Sequence, residues 1–416
     1  MDARARRLAL VSGRWDPMLT VVDIDAALDP ANNDTDRAVI TRARVTPDIA
    51  LPSGARAPAV GLPVSVAAVP ALDRLVVVNH AGCATPQALE AHPHGHAGAL
   101  AMFDLRATLA GSATRPTLLL PTATFGPVGC VVAPDGRHLL VAAGEGPGLE
   151  DGGYQISVID LPTCTLRHNF ALPHEGEPTR AGSPDPGFGR YPNPAGIAIA
   201  RGSPDLVLTA DGGSSTVTAI ALADVLSGEP RAPLARLELP TGPFGIAASP
   251  DGTLAVVAGR ECPRTGAEGN AVTFLDLAAL RRGDGWAARH VVVGSDDGRP
   301  SRPMGVAFSP DGLSVFATCF RTGTVSRIER TAQGDWKESG RAALCDPLGS
   351  PPCPRGIGVT GDGALVVVAG GARGAPGSSQ LWLLDARTLR MLARVSGVGN
   401  ETYFIEVIEI SSTASQ

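Results

Sequence analysis

The most chemically loaded stretch of this chain is Ala91-His92-Pro93-His94-Gly95-His96, with histidines at three alternate positions. Alternate side chains of an extended strand share a face. His92, His94 and His96 can therefore converge on one zinc, copper or iron ion, with His80 as a fourth ligand from the base of the same segment. Pro93 and Gly95 work against a regular strand, and a solvated Gly/Pro/His loop is the competing reading. Asn79, Glu145, Asn193 and Asp211 offer hard oxygen donors that would suit calcium, a weaker case than the histidines. A second set of residues suits water activation, which needs a base and, for the oxyanion that follows, fixed donors. His80, Glu145, Asp211 and Glu261 are the candidate catalytic groups. Arg260, Arg302, Arg321 and Arg355, with Asn193 and Tyr403, are the candidate substrate contacts. Guanidinium groups bind carboxylate or phosphate in bidentate fashion, so an anionic, oxygen-rich small molecule is the expected substrate. For any one of these residues, a rim charge or a structural ion pair is the simpler account.

Several chemistries are disfavoured. Lys337 is the only lysine, and it falls near an outer-strand hairpin, which argues against a Schiff-base mechanism. No Gly-x-Ser-x-Gly elbow, Walker-type loop or His-Glu-x-x-His helix occurs, and no nucleotide cofactor is expected.

What must position these residues is a repeated phrase: Pro-x-Gly-[Ile/Val/Cys], then Pro-Asp-Gly, then a Val/Leu-rich run. It reads Pro243-Phe244-Gly245-Ile246 with Pro250-Asp251-Gly252, and Pro303-Met304-Gly305-Val306 with Pro310-Asp311-Gly312. It recurs as Pro127-Val128-Gly129-Cys130 with Pro134-Asp135-Gly136, and as Pro354-Arg355-Gly356-Ile357 with Gly361-Asp362-Gly363. Degraded copies stand at Pro194-Ala195-Gly196-Ile197 and Pro63-Val64-Ser65-Val66. Each copy predicts four antiparallel strands, with Pro-Asp-Gly as a hairpin turn and the phrase's glycine allowing close packing at a crowded axis. A third strand often ends in an Ile/Leu-Asp-Leu signature, as in Val158-Ile159-Asp160-Leu161 and Phe274-Leu275-Asp276-Leu277. Six copies begin near residues 63, 127, 194, 243, 303 and 354. A seventh is split: strands at Leu8–Val11, Leu19–Ile24 and Val39–Val45 join an inner strand from Tyr403–Ile410. The expectation is a single all-β domain over 1–416, a seven-bladed β-propeller of four-stranded antiparallel blades, with blade 7 divided between 1–50 and 400–412 and a first-blade insertion at 79–98. Pairing the N-terminal strands with the C-terminal one closes the ring and removes open edges.

On these phrases the chain resembles the YVTN-type β-propeller repeat proteins and the neighbouring 6-phosphogluconolactonase-like lactonase group. The resemblance implies the propeller fold over nearly the whole chain and makes lactone hydrolysis the natural reaction, with a lyase or isomerase next. It assigns no catalytic residue. A non-catalytic ligand- or protein-binding scaffold and a His-cluster metal protein are the alternatives, although aromatic residues at 4% are few for a protein-binding mouth. In all readings, the long stretches at 79–98, 144–154, 259–270 and 369–379, with the connections 168–193 and 340–353, gather on the face opposite the Pro-Asp-Gly hairpins. Function is expected on that face.

The net charge of −6 and the lack of a basic stripe argue against a nucleic-acid partner. No apolar run is long enough to cross a bilayer. Leu8-Ala9-Leu10-Val11 is too short for a signal peptide, so a cytoplasmic location is expected, or a periplasmic or secreted one if a leader has been removed. Seven cysteines form no metal-ligand spacing. Cys130 reads as a small buried hydrophobe, and Cys345 and Cys353 could bridge in an oxidising compartment. The oligomeric state is not legible.

Overall fold

The computed structural model describes residues 5–50, 54–91, 95–146, 152–174, 191–262, 265–282, 287–346, 349–375 and 377–410. The repeated phrase produces seven blades. Blade 1 comprises Pro63–Val69, Arg74–Asn79, Ala97–Asp104 and the first part of Leu118–Val132. The rest of that strand starts blade 2, followed by His138–Glu145, Gly152–Asp160 and Thr165–Ala171. Blades 1 and 2 thus share one strand and form a single seven-stranded sheet. Blades 3 to 6 are separate four-stranded sheets whose inner strands are Pro194–Ala200, Gly242–Ala248, Pro303–Phe308 and Pro354–Val359. Blade 7 is the predicted split sheet: Thr402–Ile410 pairs antiparallel with Arg6–Gly13, which pairs with Asp16–Asp23, which pairs with Val39–Arg44.

Alternation along the strands explains why these sheets stack into a ring. Leu139 and Val141 of one strand face blade 1, while Leu140 and Ala142 of the same strand face blade 3. Seven apolar layers result, each shared by two adjacent blades, and the layers joining blade 7 to blade 6 and to blade 1 complete the cycle.

The phrase's glycine is where the inner strands crowd. A Cβ added at Gly129, Gly196, Gly245, Gly305 or Gly356 would collide with the carbonyl oxygen of Ala195, Phe244, Met304, Arg355 or Tyr403, respectively. In every case the obstacle is the residue at the x position of the next blade, or its counterpart Tyr403 in blade 7. In the degraded copy of blade 1 the glycine is Ser65, whose hydroxyl donates to the corresponding carbonyl of Val128 at 2.6 Å. The Pro-Asp-Gly turns close the opposite end. Asp251 accepts from the Ser249 hydroxyl at 2.6 Å and the Thr253 amide at 3.0 Å, and Gly252 sits at φ 68°. The aspartates ending third strands also belong to the scaffold. Asp104 caps the short helix Leu105–Leu109 through the Ala107 amide, and Asp276 and Asp385 accept from Ala279 and Thr388 in the same way.

Cys345 and Cys353 form no bridge. The Cys345 carbonyl instead accepts from the buried Trp382 indole at 3.0 Å and from Arg394 at 3.0 Å. Among the described residues no helix is long and apolar enough to cross a membrane.

Candidate functional site

Strand register brings the ends of the second strands onto the starts of the inner strands at one rim. Pro63 lies opposite Asn79, Pro194 opposite Asp211, Gly242 opposite Glu261, Pro303 opposite Cys319 and Thr402 opposite Gly13. The residue just before the inner strand is left-handed in six of the seven blades: Leu62, Gly126, Asn193, Arg302, Cys353 and Glu401 have φ between 42° and 57°. Five of these are not glycine, and each such backbone costs on the order of 1 kcal/mol. Backbone strain of this kind concentrates at functional rims.

On blades 4 to 7 this rim carries a closed ring of guanidinium, aromatic and carboxylate groups. The Arg355 guanidinium lies between the rings of Phe320 (4.7 Å) and Tyr403 (4.9 Å) and donates to Glu401 Oε1 at 3.1 Å and the Gly371 carbonyl at 2.9 Å. Arg302 covers the Phe320 ring at 5.1 Å and pairs with Glu261 at 2.7 Å and Glu268 at 3.3 Å. Arg260 also pairs with Glu261 and covers Phe244 at 5.2 Å, and Phe244 returns to Tyr403 at 5.9 Å. Outside the ring, Arg321 pairs with Glu268, and Arg14 donates to the Tyr403 hydroxyl at 3.2 Å. Burial lowers the Arg260 pKa below its ordinary value. Glu261 opposes that effect and Arg302 adds to it.

Across the mouth, on blades 1 and 2, His80 and Glu145 meet. The buried His80 ring places Nε2 3.0 Å from Glu145 Oε1 and Nδ1 3.1 Å from the Pro127 carbonyl, while Glu145 Oε2 accepts from the Gly95 amide at 3.0 Å. Both imidazole nitrogens therefore face oxygen acceptors. Both ring nitrogens are engaged, so the His80 side chain holds Glu145 in place. Room for Glu145 comes from Gly126, at φ 52°, where a Cβ would collide with the glutamate side chain. Glu145 also raises the pKa of Arg14: burial lowers that value, but Tyr403, Glu401 and Glu145 more than offset it. The His80–Glu145 pair and the arginine ring thus share one electrostatic neighbourhood.

Two other expected residues turn away. Asp211 is fully buried, with Oδ2 accepting from the Thr218 hydroxyl at 2.5 Å and Thr216 at 3.3 Å. Burial pushes its pKa up to about 6, against the opposing pull of the threonine hydroxyls and Arg236. It belongs to the blade interior, not to the mouth. Asn193 tucks its side chain against Gly152 and Gly213. The proposed calcium donors do not converge, since Asn79 is buried and donates to the Val45 carbonyl at 3.1 Å. His92 and His94 lie outside the described residues, and the His96 carbonyl accepts from the Gly126 amide at 3.1 Å. Among the described residues no group of three or more His, Cys, Asp or Glu side chains is placed to hold a metal ion.

Glu268, Glu401, Phe244 and Phe320 join the site without having been singled out from the sequence. Glu401 carried a signal, since it stands immediately before an inner strand as Arg302 does.

No family model matches the chain, and no curated protein sequence does. Solved structures match over nearly its full length. The periplasmic gluconolactonase of Pseudomonas aeruginosa aligns with a TM-score of 0.63 at 14% identity, covering 97% of this chain and 99% of its own. A protein of unknown function from Desulfotomaculum acetoxidans aligns with a TM-score of 0.61 at 13% identity, covering 96% and 98%. A Bacteroides uniformis protein provisionally named a 6-phosphogluconolactonase gives 0.60 at 12% identity, covering 97% and 99%. The likeness is one of fold. The rim residues described above are this chain's own.

Proposed function

We propose that this propeller hydrolyses a lactone, or a closely related ester, on a small anionic molecule held at the arginine-lined mouth. The observation that carries this reading is Glu145, locked by His80 and Gly95 on the same rim as the guanidinium–aromatic ring. The names of two of the structural neighbours given above, gluconolactonase and 6-phosphogluconolactonase, support the reaction class. In the proposed step Glu145 takes a proton from water as the water oxygen attacks the lactone carbonyl. Guanidinium N–H groups stabilise the resulting oxyanion. When the ring C–O bond breaks, the departing alkoxide recovers the proton from Glu145, giving a hydroxy acid. His80 acts as a positioning residue.

The test is a pH-stat assay of a lactone panel, aldonolactones and aryl or alkyl lactones together, with wild type and Glu145→Gln. The expected result is a fall in kcat of about 10²-fold or more in the variant, at an unchanged thermal midpoint. Equal turnover by a folded Glu145→Gln removes Glu145 from the mechanism. If no lactone is turned over, the hydrolase reading fails. A non-catalytic ligand-binding propeller is the second reading, favoured by the fact that Arg260, Arg302, Arg321 and Arg355 already have carboxylate partners.

A further inference from the structure

Beneath the arginines the mouth is floored by carbon. Val128, Ala195, Phe244 and Met304 are buried there, and Phe320, Tyr403 and Phe404 pack half-exposed against them. Val128, Ala195, Phe244 and Met304 are x residues of the repeated phrase, so blades 2 to 5 each contribute one side chain to this floor. Phe244 and Phe404 stack at 5.5 Å with their planes 3° apart. Within this cluster the polar side-chain atoms are the Met304 sulfur and the Tyr403 hydroxyl, and the hydroxyl already accepts from Arg14.

The rim above carries surplus positive charge. Arg14, Arg260, Arg302, Arg321 and Arg355, five guanidinium groups, face four carboxylates, Glu145, Glu261, Glu268 and Glu401. Two donors also lack acceptors: the Nε–H groups of Arg14 and Arg302 are buried and make no hydrogen bond. Buried guanidinium donors without partners are unfavourable, and negative charge nearby offsets part of that cost. A polyhydroxylated ligand would set its hydroxyls against a floor that offers them almost nothing.

From this geometry we infer that the mouth selects a carboxylate on a flat, apolar body, an aryl or unsaturated acid and its lactone, in preference to a sugar acid. The anion meets the surplus guanidinium charge and the body lies on the half-exposed Tyr403 and Phe404 rings, which Phe244 backs. The inference rests on the mouth being the ligand site, but binding can be read without turnover.

Isothermal titration of the full chain with benzoate, gluconate and benzyl alcohol at one pH and ionic strength tests it. Benzoate is expected to bind at least tenfold more tightly than gluconate, which has the charge without the apolar body. It should bind at least tenfold more tightly than benzyl alcohol, which has the body without the charge. Arg302→Gln and, separately, Phe244→Leu should each weaken benzoate at least fivefold, with thermal midpoints establishing that both variants fold. If gluconate or benzyl alcohol binds as well as benzoate, or if benzoate does not bind, the inference is overturned. Unchanged benzoate affinity in both folded variants overturns it too. Selective benzoate binding without hydrolysis of any lactone would sink the hydrolase reading and leave this one standing. Turnover of sugar lactones without benzoate binding would do the reverse.

Discussion

Replacing Asp211 with asparagine should make the protein more stable at neutral pH, although the residue donates to nothing at the mouth. Asp211 is fully buried and its pKa is raised to about 6 from an ordinary 3.8. A raised carboxylate pKa means that folding favours the protonated form. Its contribution is therefore fully present below the unfolded pKa near 3.8 and is lost as pH rises through about 6. A gap of about two pK units is worth about 3 kcal/mol at 1.36 kcal/mol per unit. Asparagine keeps an acceptor for the Thr218 hydroxyl and does not titrate. The stability difference, Asp211→Asn minus wild type, should thus grow by about 2–3 kcal/mol between pH 4 and pH 7.5. Urea denaturation of both proteins across that range measures it directly. Parallel profiles would refute the burial argument. Loss of ligand binding or turnover in a stable Asp211→Asn would show that the carboxylate serves the site after all.

Glu406 gives a parallel expectation at higher pH. Burial pushes its pKa up to about 8, although the Ala68 amide donates to it at 2.6 Å. Stability should fall as pH rises from about 4.5 to about 8, and Glu406→Gln should flatten that fall in thermal melts between pH 5 and 8.5. Arg355→Ala should destabilise by about 3–5 kcal/mol, because it strands Glu401 and removes the cation held between two rings. Arg355→Lys should recover little of that, because an ammonium cannot stack as a plane. With no disulfide to reduce, dithiothreitol should leave the thermal midpoint unmoved. A thiol reagent should label Cys83 and Cys345 well before the buried Cys319.

The blades were legible because Pro-x-Gly records a physical necessity, the approach of one inner strand to the next carbonyl, which only a residue without a side chain allows. Its breakdown was legible too: Ser65 replaces the glycine and supplies a hydrogen bond in compensation. The rim was predictable for Arg302, Arg355, Glu261 and Tyr403 because they sit beside the phrase. Side-chain direction was not. Asp211 and Glu261 end equivalent strands, yet the threonines at 216 and 218 draw Asp211 inward while Arg260 and Arg302 hold Glu261 at the mouth. That choice depends on residues contributed by other strands and by the next blade, which spacing along one segment does not reveal. His80 was correctly placed at the rim, but its role depended on the Pro127 carbonyl, a backbone group with no sequence signature.

The strand shared by blades 1 and 2 has a mechanical meaning. Among the described residues no other two blades share a strand, but Leu118–Val132 is the outer edge of one blade and the inner edge of the next. These two blades cannot open independently, so their amides should exchange with deuterium as one cooperative block. His80 and Glu145 span this welded boundary, while the arginines sit on blades that can shift separately. One half of the mouth is therefore a fixed anvil, and any adjustment to a ligand falls to the cationic half.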